Sequence, residues 1–354
     1  MEDSIFARLA RHLDTLPIGY PATESGVEIR ILERWFTVRE AEIALALSGV
    51  PTAPEALAER LAATAEQLVR ELDLMVDKGL IFRLVLPDKR LYNLVPLAEG
   101  MWEFHINNST SEDVRLLREY LDTFMAKGWF GTPTTQHRIV PISLSLEPGM
   151  EIMPYDRAEE IIRSQSKIAL VTCICRKENR EMGKDCGHLK EACMAFGTGA
   201  YFYLQTGRGR EISREEALEV LKAAMAEGLV IQPGNGQKVW NLCLCCPCCC
   251  ALLGALKKMD KPGSVVHSNF YAMLDPAACT GCGACEEKCP MGAIALGETA
   301  HINRERCIGC GVCVGACAFE AIGLKQKDLE ARYVPPRDML AMQFKAAQER
   351  GLIE

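Results

Sequence analysis

From Ile29 to Phe104 the apolar positions recur first at helical and then at strand spacing. VREAEIALAL (38–47) and PEALAERLA (54–62) read as short helices, with Pro51 and Pro54 between them. Thr64 followed three residues later by Gln67 is a capping box, in which each side chain bonds the other residue's backbone N–H. It opens a third helix with Leu68, Leu72 and Met75 on one face, ended by Gly79. LIFRLVL and LYNLVPL then alternate as two strands around a Pro87-Asp88-Lys89-Arg90 turn. In SEDVRLLREYLDTFMAKG (111–128), Val114, Leu117, Leu121 and Phe124 or Met125 form the packing stripe of a further helix. Periodicity stops over 129–154, where Gly131, Pro133, Pro141, Pro148 and Gly149 predict a connector able to lie extended on a neighbouring surface.

Three helices followed by a hairpin resemble a winged helix-turn-helix, a fold used by DNA readers and by domains that touch no DNA. Residues 1–105 carry 11 Arg and Lys against 17 Asp and Glu, and the would-be recognition helix holds Glu66, Glu71, Asp73 and Asp77. That face repels phosphate, so a structural or protein-docking role is expected and DNA binding is disfavoured.

Beyond the connector, the helix RAEEIIRSQS precedes IALVTCIC, an apolar run read as a buried strand delivering Cys173 and Cys175. Cys186 and Cys193 are expected in a glycine-containing loop and at the start of a helix. Ser213 and Glu216 form a second capping-box pattern ahead of REEALEVLKAAMAEG. LVIQ, the Pro233-Gly234-Asn235-Gly236 turn and QKVWNLC then read as another hairpin. Its second strand runs into NLCLCCPCCC, which supplies Cys243, Cys245, Cys246, Cys248, Cys249 and Cys250 before the helix ALLGALKKM.

Composition narrows the chemistry. A 354-residue chain, about half hydrophobic and a quarter charged, is long enough for two or three domains with cores of their own. No uncharged apolar run reaches 18 residues, so no membrane span is expected. MEDSIFARLARHLD has an acidic start and no apolar stretch leading to a small-residue cleavage site, so a cytoplasmic location is expected. In that reducing compartment 18 cysteines do not read as a disulfide framework, and metal or cluster ligation becomes the default. The net charge of −7 disfavours nucleic acid reached through general electrostatics.

The strongest motif is CTGCGACEEKCP (279–290), repeated after 28 residues as CIGCGVCVGACA (307–318). Gly281/Gly309, Gly283/Gly311, Ala293/Ala321 and Ile294/Ile322 recur with the thiols. Three thiolates spaced two residues apart wrap one face of a cubane, and the glycines let backbone N–H groups approach its sulfides. In two-cluster domains the last cysteine of each run crosses to the other cluster. That assigns one [4Fe–4S] cluster to Cys279, Cys282, Cys285 and Cys317, and a second to Cys289, Cys307, Cys310 and Cys313. Zinc, which generally uses paired knuckles, fits this spacing poorly.

Residues 275–325 resemble a bacterial dicluster ferredoxin domain, with Ala318 standing where the first copy has Pro290. A more distant similarity, over 135–325, is to larger bacterial iron–sulfur binding proteins, and it implies electron transfer. The expected fold class is α+β and multidomain. A winged-helix-like domain (1–128) and a connector (129–154) lead to a Cys-rich α+β middle domain (155–268), a 2[4Fe–4S] ferredoxin domain (269–325) and a helical tail (326–354).

Cys173, Cys175, Cys186, Cys193 and the six cysteines of 243–250 remain. Ten thiols can supply two further cubanes with two left over, or one cubane plus a larger or noncubic cluster. Adjacent residues in extended backbone face opposite ways, so Cys245/Cys246 and Cys248/Cys249 need not serve one site. At least one further iron–sulfur cluster is expected, ahead of zinc and of a redox-active dithiol. His188 reads as a surface or hydrogen-bonding residue rather than a ligand, and Arg176 as a charge neutraliser or an ordinary ion-pair partner. GTG (197–199) and GRG (207–209) complete no nucleotide fingerprint, and no Ser/His/Asp or paired-carboxylate constellation is identifiable.

The expected function is multi-cluster electron transfer as a subunit or partner of an anaerobic oxidoreductase, with a redox protein as partner. The alternatives are an enzyme reducing a substrate such as a disulfide at the middle cluster, and an iron–sulfur redox-sensing transcription regulator. The sequence leaves the oligomeric state open.

Overall fold

The computed structural model describes residues 4–143, 146 and 152–353, so Pro148 and Gly149 of the expected connector lie outside the described residues. The chain divides into two compact units, Met1–Thr132 with Phe202–Gly209 and Gln343–Glu354, and Pro133–Tyr201 with Arg210–Met342. Helices and strands are mixed in several small sheets. Among the described residues no helix is long and apolar enough to cross a membrane.

In the first unit, helices Val38–Ala46, Glu55–Ala58 and Ala65–Lys78 precede strands β1 (Phe82–Val85) and β2 (Arg90–Asn93). The Thr64/Gln67 capping box forms, and Gly79 ends its helix at φ 90°, where a Cβ would stand 2.6 Å from Phe104 O. β1 and β2 pair antiparallel from Phe82↔Asn93 to Val85↔Arg90, and Thr52 bridges Tyr92 on the far edge of β2. Leu68, Leu72 and Met75 are buried as their spacing predicts. Asp73 gathers the hairpin's cations: Arg83 and Arg90 reach its carboxylate at 2.7 and 2.6 Å, and Tyr92 Oη donates at 2.8 Å. The helix Ser111–Thr123 runs on into a π-helical turn, Phe124–Trp129, with Val114, Leu117, Leu121, Phe124 and Met125 all buried. Phe202 joins this unit by stacking 4.7 Å from Phe82 and packing tilted 4.3 Å from Phe104.

The second unit is built on a five-stranded sheet. Its strands β3 (Ile168–Thr172), β4 (Glu191–Phe196), β5 (Gly209–Glu211), β6 (Val230–Pro233) and β7 (Asn241–Cys245) lie in the order β5-β3-β4-β7-β6. β3–β4, β4–β7 and β6–β7 pair antiparallel. Leu170, Met194, Ile231, Leu242 and Leu244 form one apolar core with Ile161, Ile162, Ala217 and Leu221, which come from the helices Ala158–Arg163 and Arg214–Ala226. Ser213 caps the second of these helices by accepting the Glu216 N–H.

Two expectations are corrected here. Cys193 is not at a helix start but inside β4, because Ala192, Met194 and Phe196 alternate toward the core and the helix begins only at Gly197. Cys175 is not on a strand, because β3 stops at Thr172 and Cys173 is the N-cap of the helix Ile174–Glu181.

The connector lies extended from His137 to Ile142. His137 and Val140 bridge Gly234 and Ile231, Ile139 N–H donates to His267 O, and Ile142 N–H donates to Cys310 O. Further along, β8 (Phe270–Leu274) pairs with β11 (Ile322–Gln326), and β9 (Ile294–Leu296) with β10 (Ala300–Ile302), both antiparallel. Shifted by the 28-residue repeat, β8 falls on β10 and β9 on β11, so the duplication organises the strands as well as the thiols. The tail forms a helix over Met339–Glu349.

Arg138 is fully buried; its Nη1 reaches Asp156 at 3.0 Å and its Nη2 donates to Tyr155 O. Asn269 also donates to Asp156, at 2.8 Å. Removing one member of a buried pair strands the other's charge. Arg138→Met is therefore expected to destabilise this unit by about 3–5 kcal/mol, read as a lowered denaturation midpoint at unchanged slope.

Candidate metal centres

The C-terminal cysteines occupy two hollows. One is lined by Cys279, Cys282, Cys285 and Cys317 together with Leu296, Phe319 and Ile322. The other is lined by Cys289, Cys307, Cys310 and Cys313 together with Met291, Ile294 and Ile302. Each hollow thus takes three thiols from one repeat and one from the other.

Backbone donors follow the same symmetry. Ala272 N–H donates to Cys307 Sγ at 3.4 Å, and Ala300 N–H, 28 residues on, donates to Cys279 Sγ at 3.5 Å. Ala293 N–H and Ala321 N–H donate to Cys289 and Cys317 Sγ at 3.2 and 3.3 Å. Gly281 and Gly309 share φ 69°, and Gly283 and Gly311 share φ 79°, a left-handed turn before each short helix that avoids a Cβ penalty. Burial pushes the Cys310 thiol up to about 12, so in this apolar hollow it is a thiol until a cation replaces its proton. A thiol-rich, apolar and N–H-lined hollow fits an anionic iron–sulfur core.

The ten remaining cysteines separate into two groups. The sulfurs of Cys186, Cys246, Cys248 and Cys249 all lie within 4.8 Å of one another. Four thiolates around one tetrahedral ion, with bonds of about 2.3 Å, would stand roughly 3.8 Å apart. A cubane, which puts an iron–sulfur core between them, would stand them wider. This tetrad is compact.

The other six, Cys173, Cys175, Cys193, Cys243, Cys245 and Cys250, meet on the opposite side of the sheet. Cys193 and Cys243 are register partners on β4 and β7, with sulfurs 3.7 Å apart. Cys245 follows two residues along β7, on the same face as Cys243. Cys173 and Cys250 are N-caps of the helices Ile174–Glu181 and Ala251–Lys258, and Cys175 lies in the first turn of the former. Alternation therefore holds for Cys245/Cys246, which the end of β7 sends to different groups. It fails for Cys248/Cys249: residues 247–249 form a turn and both thiols join the tetrad.

Arg176 lies between the groups. It is buried, with Nε donating to Cys246 Sγ at 3.3 Å and Nη1 and Nη2 to Leu189 O and Leu244 O at 2.7 and 2.8 Å. Burial works against its charge, but the field of Cys173 and the contacts with Cys246 hold it firmly protonated. Hydrogen bonds from Cys175 and Cys193, aided by Arg176, hold Cys173 well below the ordinary thiol range. Contacts from Cys243 and Cys250 bring Cys245 down to about 5. His188 turns its Nδ1 to Glu227 Oε2 at 2.9 Å, outside both groups. Gln232, opposite Cys243 in register, places its amide 3.8 Å from Cys250 Sγ. Composition gave no signal for it, and only the hairpin register brings it there.

No curated protein and no solved structure matches the chain. One protein-family description does match, with its four-cysteine repeats on the two hollows. Residues 272–318 fit the 4Fe-4S dicluster domain, in the C-terminal region of a larger chain, and this fit together with the clustered cysteines upstream suggests an iron–sulfur electron-transfer role.

Proposed function

We propose that this chain is a multi-cluster electron carrier acting as a subunit or dedicated redox partner of an oxidoreductase of anaerobic metabolism. Two [4Fe–4S] clusters are held in the C-terminal hollows, one by Cys279, Cys282, Cys285 and Cys317, the other by Cys289, Cys307, Cys310 and Cys313. At least one further iron–sulfur cluster is held by the middle cysteines. The observation that carries this reading is the crossed three-plus-one division of the eight thiols between the hollows, with backbone N–H donors repeating at the same 28-residue interval.

Contacts within the second unit support a path from the middle cysteines to the dicluster region. The helix Ala251–Lys258 starts at Cys250 and spans about 12 Å. Near its end Arg306, beside Cys307, donates to Lys257 O and Met259 O at 3.1 and 2.8 Å. From the tetrad side, Glu227 holds His188, and a Cβ on the next residue, Gly228, would stand 3.3 Å from Val312 Cγ1, beside Cys313. Within the N-terminal unit, the helices Val38–Ala46, Glu55–Ala58 and Ala65–Lys78 with the Thr52–Tyr92 bridge and the hairpin are read as a winged-helix module for protein docking. Its hairpin arginines Arg83 and Arg90 are already engaged by Asp73, which leaves them poorly placed to bind phosphate.

Anaerobic iron and sulfide quantitation with EPR of the reduced protein tests the reading. Twelve or more irons per chain are expected; about eight would leave the middle cysteines without a cluster, and none would end the proposal. Gly309→Ala should cost the hollow of Cys307, Cys310 and Cys313 its cluster, a loss of about four irons, because a Cβ there would run into Phe270 O at a φ of 69°. Arg176→Met removes the cation between the two thiol groups, so the middle-domain potential should fall by about 60 mV, the one-electron equivalent of ~1.4 kcal/mol. An EPR-monitored redox titration reads that shift against unchanged dicluster signals.

A further inference from the structure

The turn that follows β7 and the loop that follows the helix Ile174–Glu181 meet at the compact tetrad. Residues 247–249 form the turn, closed by Cys250 N–H donating to Cys246 O at 3.1 Å, so Cys246, Cys248 and Cys249 leave one short stretch of backbone together. Cys186 arrives on a loop pinned from two sides. Leu189 N–H and His188 Nδ1 both reach Glu227 Oε2, at 3.2 and 2.9 Å, and Leu189 O accepts from Arg176 at 2.7 Å. We infer that Cys186, Cys246, Cys248 and Cys249 hold a single tetrahedral metal ion, zinc(II) or iron, and not an iron–sulfur cluster. The further cluster of the reading above then falls to the other middle cysteines.

Separation carries the inference. The four sulfurs all lie within 4.8 Å of one another. That is close to the roughly 3.8 Å edge of a tetrahedron with bonds of about 2.3 Å to one central ion. In a cubane each thiolate stands a bond beyond its own iron, so the four are held apart by the whole width of the core. The structure supplies its own yardstick. The eight cysteines that the family match assigns to cubanes line their hollows more widely: among the described residues, no three of their sulfurs gather within the span of the tetrad. Nor, among the described residues, do any three of the six thiols across the sheet.

Other uses of the four fit less well. All are free, so no disulfide joins them, and a redox-active dithiol would need two sulfurs rather than four converging ones. Inert packing gives no reason for a thiol at Cys248, which is exposed, or at Cys186, which is only partly buried. Thiolates this close need a cation among them. Arg176 reaches one, Cys246 Sγ at 3.3 Å, and a shared metal ion serves all four. Four protein ligands leave no open position, so the ion is structural. It ties the 183–190 loop to the turn ending β7, fixes the sulfur that Arg176 contacts, and offers a substrate disulfide nowhere to bind.

The test uses the full chain, isolated without oxygen, with iron, zinc and acid-labile sulfide all quantified. The double variant Cys248→Ala/Cys249→Ala is expected to lose about one metal ion per chain, zinc or iron as the analysis identifies it, with sulfide content and the EPR signals of the clusters unchanged. Loss of about four irons together with their sulfide overturns the proposal, and so does a metal content equal to that of the wild type. Should the variant fold poorly, spectroscopy of the wild type decides. Expected are either zinc-edge X-ray absorption with four sulfurs at about 2.3 Å or, for iron, the Mössbauer signal of an isolated high-spin ion beside those of the clusters. Absence of both overturns the proposal. If the iron–sulfur reading fails instead, neither wild type nor variant contains sulfide, while the single ion is still lost with Cys248 and Cys249.

Discussion

A thiolate set beside another thiolate is repelled by it and, once buried, is also deprived of water. Eighteen cysteines can converge on a few sites only if a positive core, or protonation, removes that cost. The second unit is arranged around this constraint. Its dicluster hollows pair apolar walls with backbone N–H donors, which lower the cost of sulfur charge without adding a mobile ion. The two middle groups share a single buried guanidinium, Arg176, whose three nitrogens are fixed by one sulfur and two carbonyls.

The same constraint explains why the sheet is polarised. One side of β4 and β7 presents Met194, Leu242 and Leu244 to helices, and the other presents Cys193, Cys243 and Cys245. A period-two strand is an efficient device for this, because every second residue can be sulfur without loosening the core. The turn at 247–249 then breaks the alternation and gathers Cys248 and Cys249 with Cys246.

Much of this was legible in the sequence where the signal is local. The Thr64/Gln67 box, Gly79, the first hairpin and the 28-residue repeat are set by neighbours within a few residues, and each appears where the pattern places it, whereas in the second hairpin Pro233 still belongs to the first strand and the partner strand starts only at Asn241. Cys193 was misplaced because EACMAF hides its alternation: alanine and cysteine are too small and neutral to mark a strand, and Gly197 just beyond imitates a helix signal. The division of the ten middle cysteines could not be read at all, since Cys193 and Cys243 are 50 residues apart and only β-register makes them neighbours. The contact between Arg176 and Cys246, 70 residues apart, is likewise a product of tertiary packing.

The strap from Pro133 to Ile142 has one more consequence. It hydrogen-bonds to β6 at Ile231 and, a few residues later, to the carbonyl of Cys310. Disturbing the loop that carries Cys310 therefore loosens the edge of the sheet, and peeling the edge loosens the loop. The lining of that hollow and the border of the sheet thus hang on one ten-residue segment, tied to each by a backbone hydrogen bond.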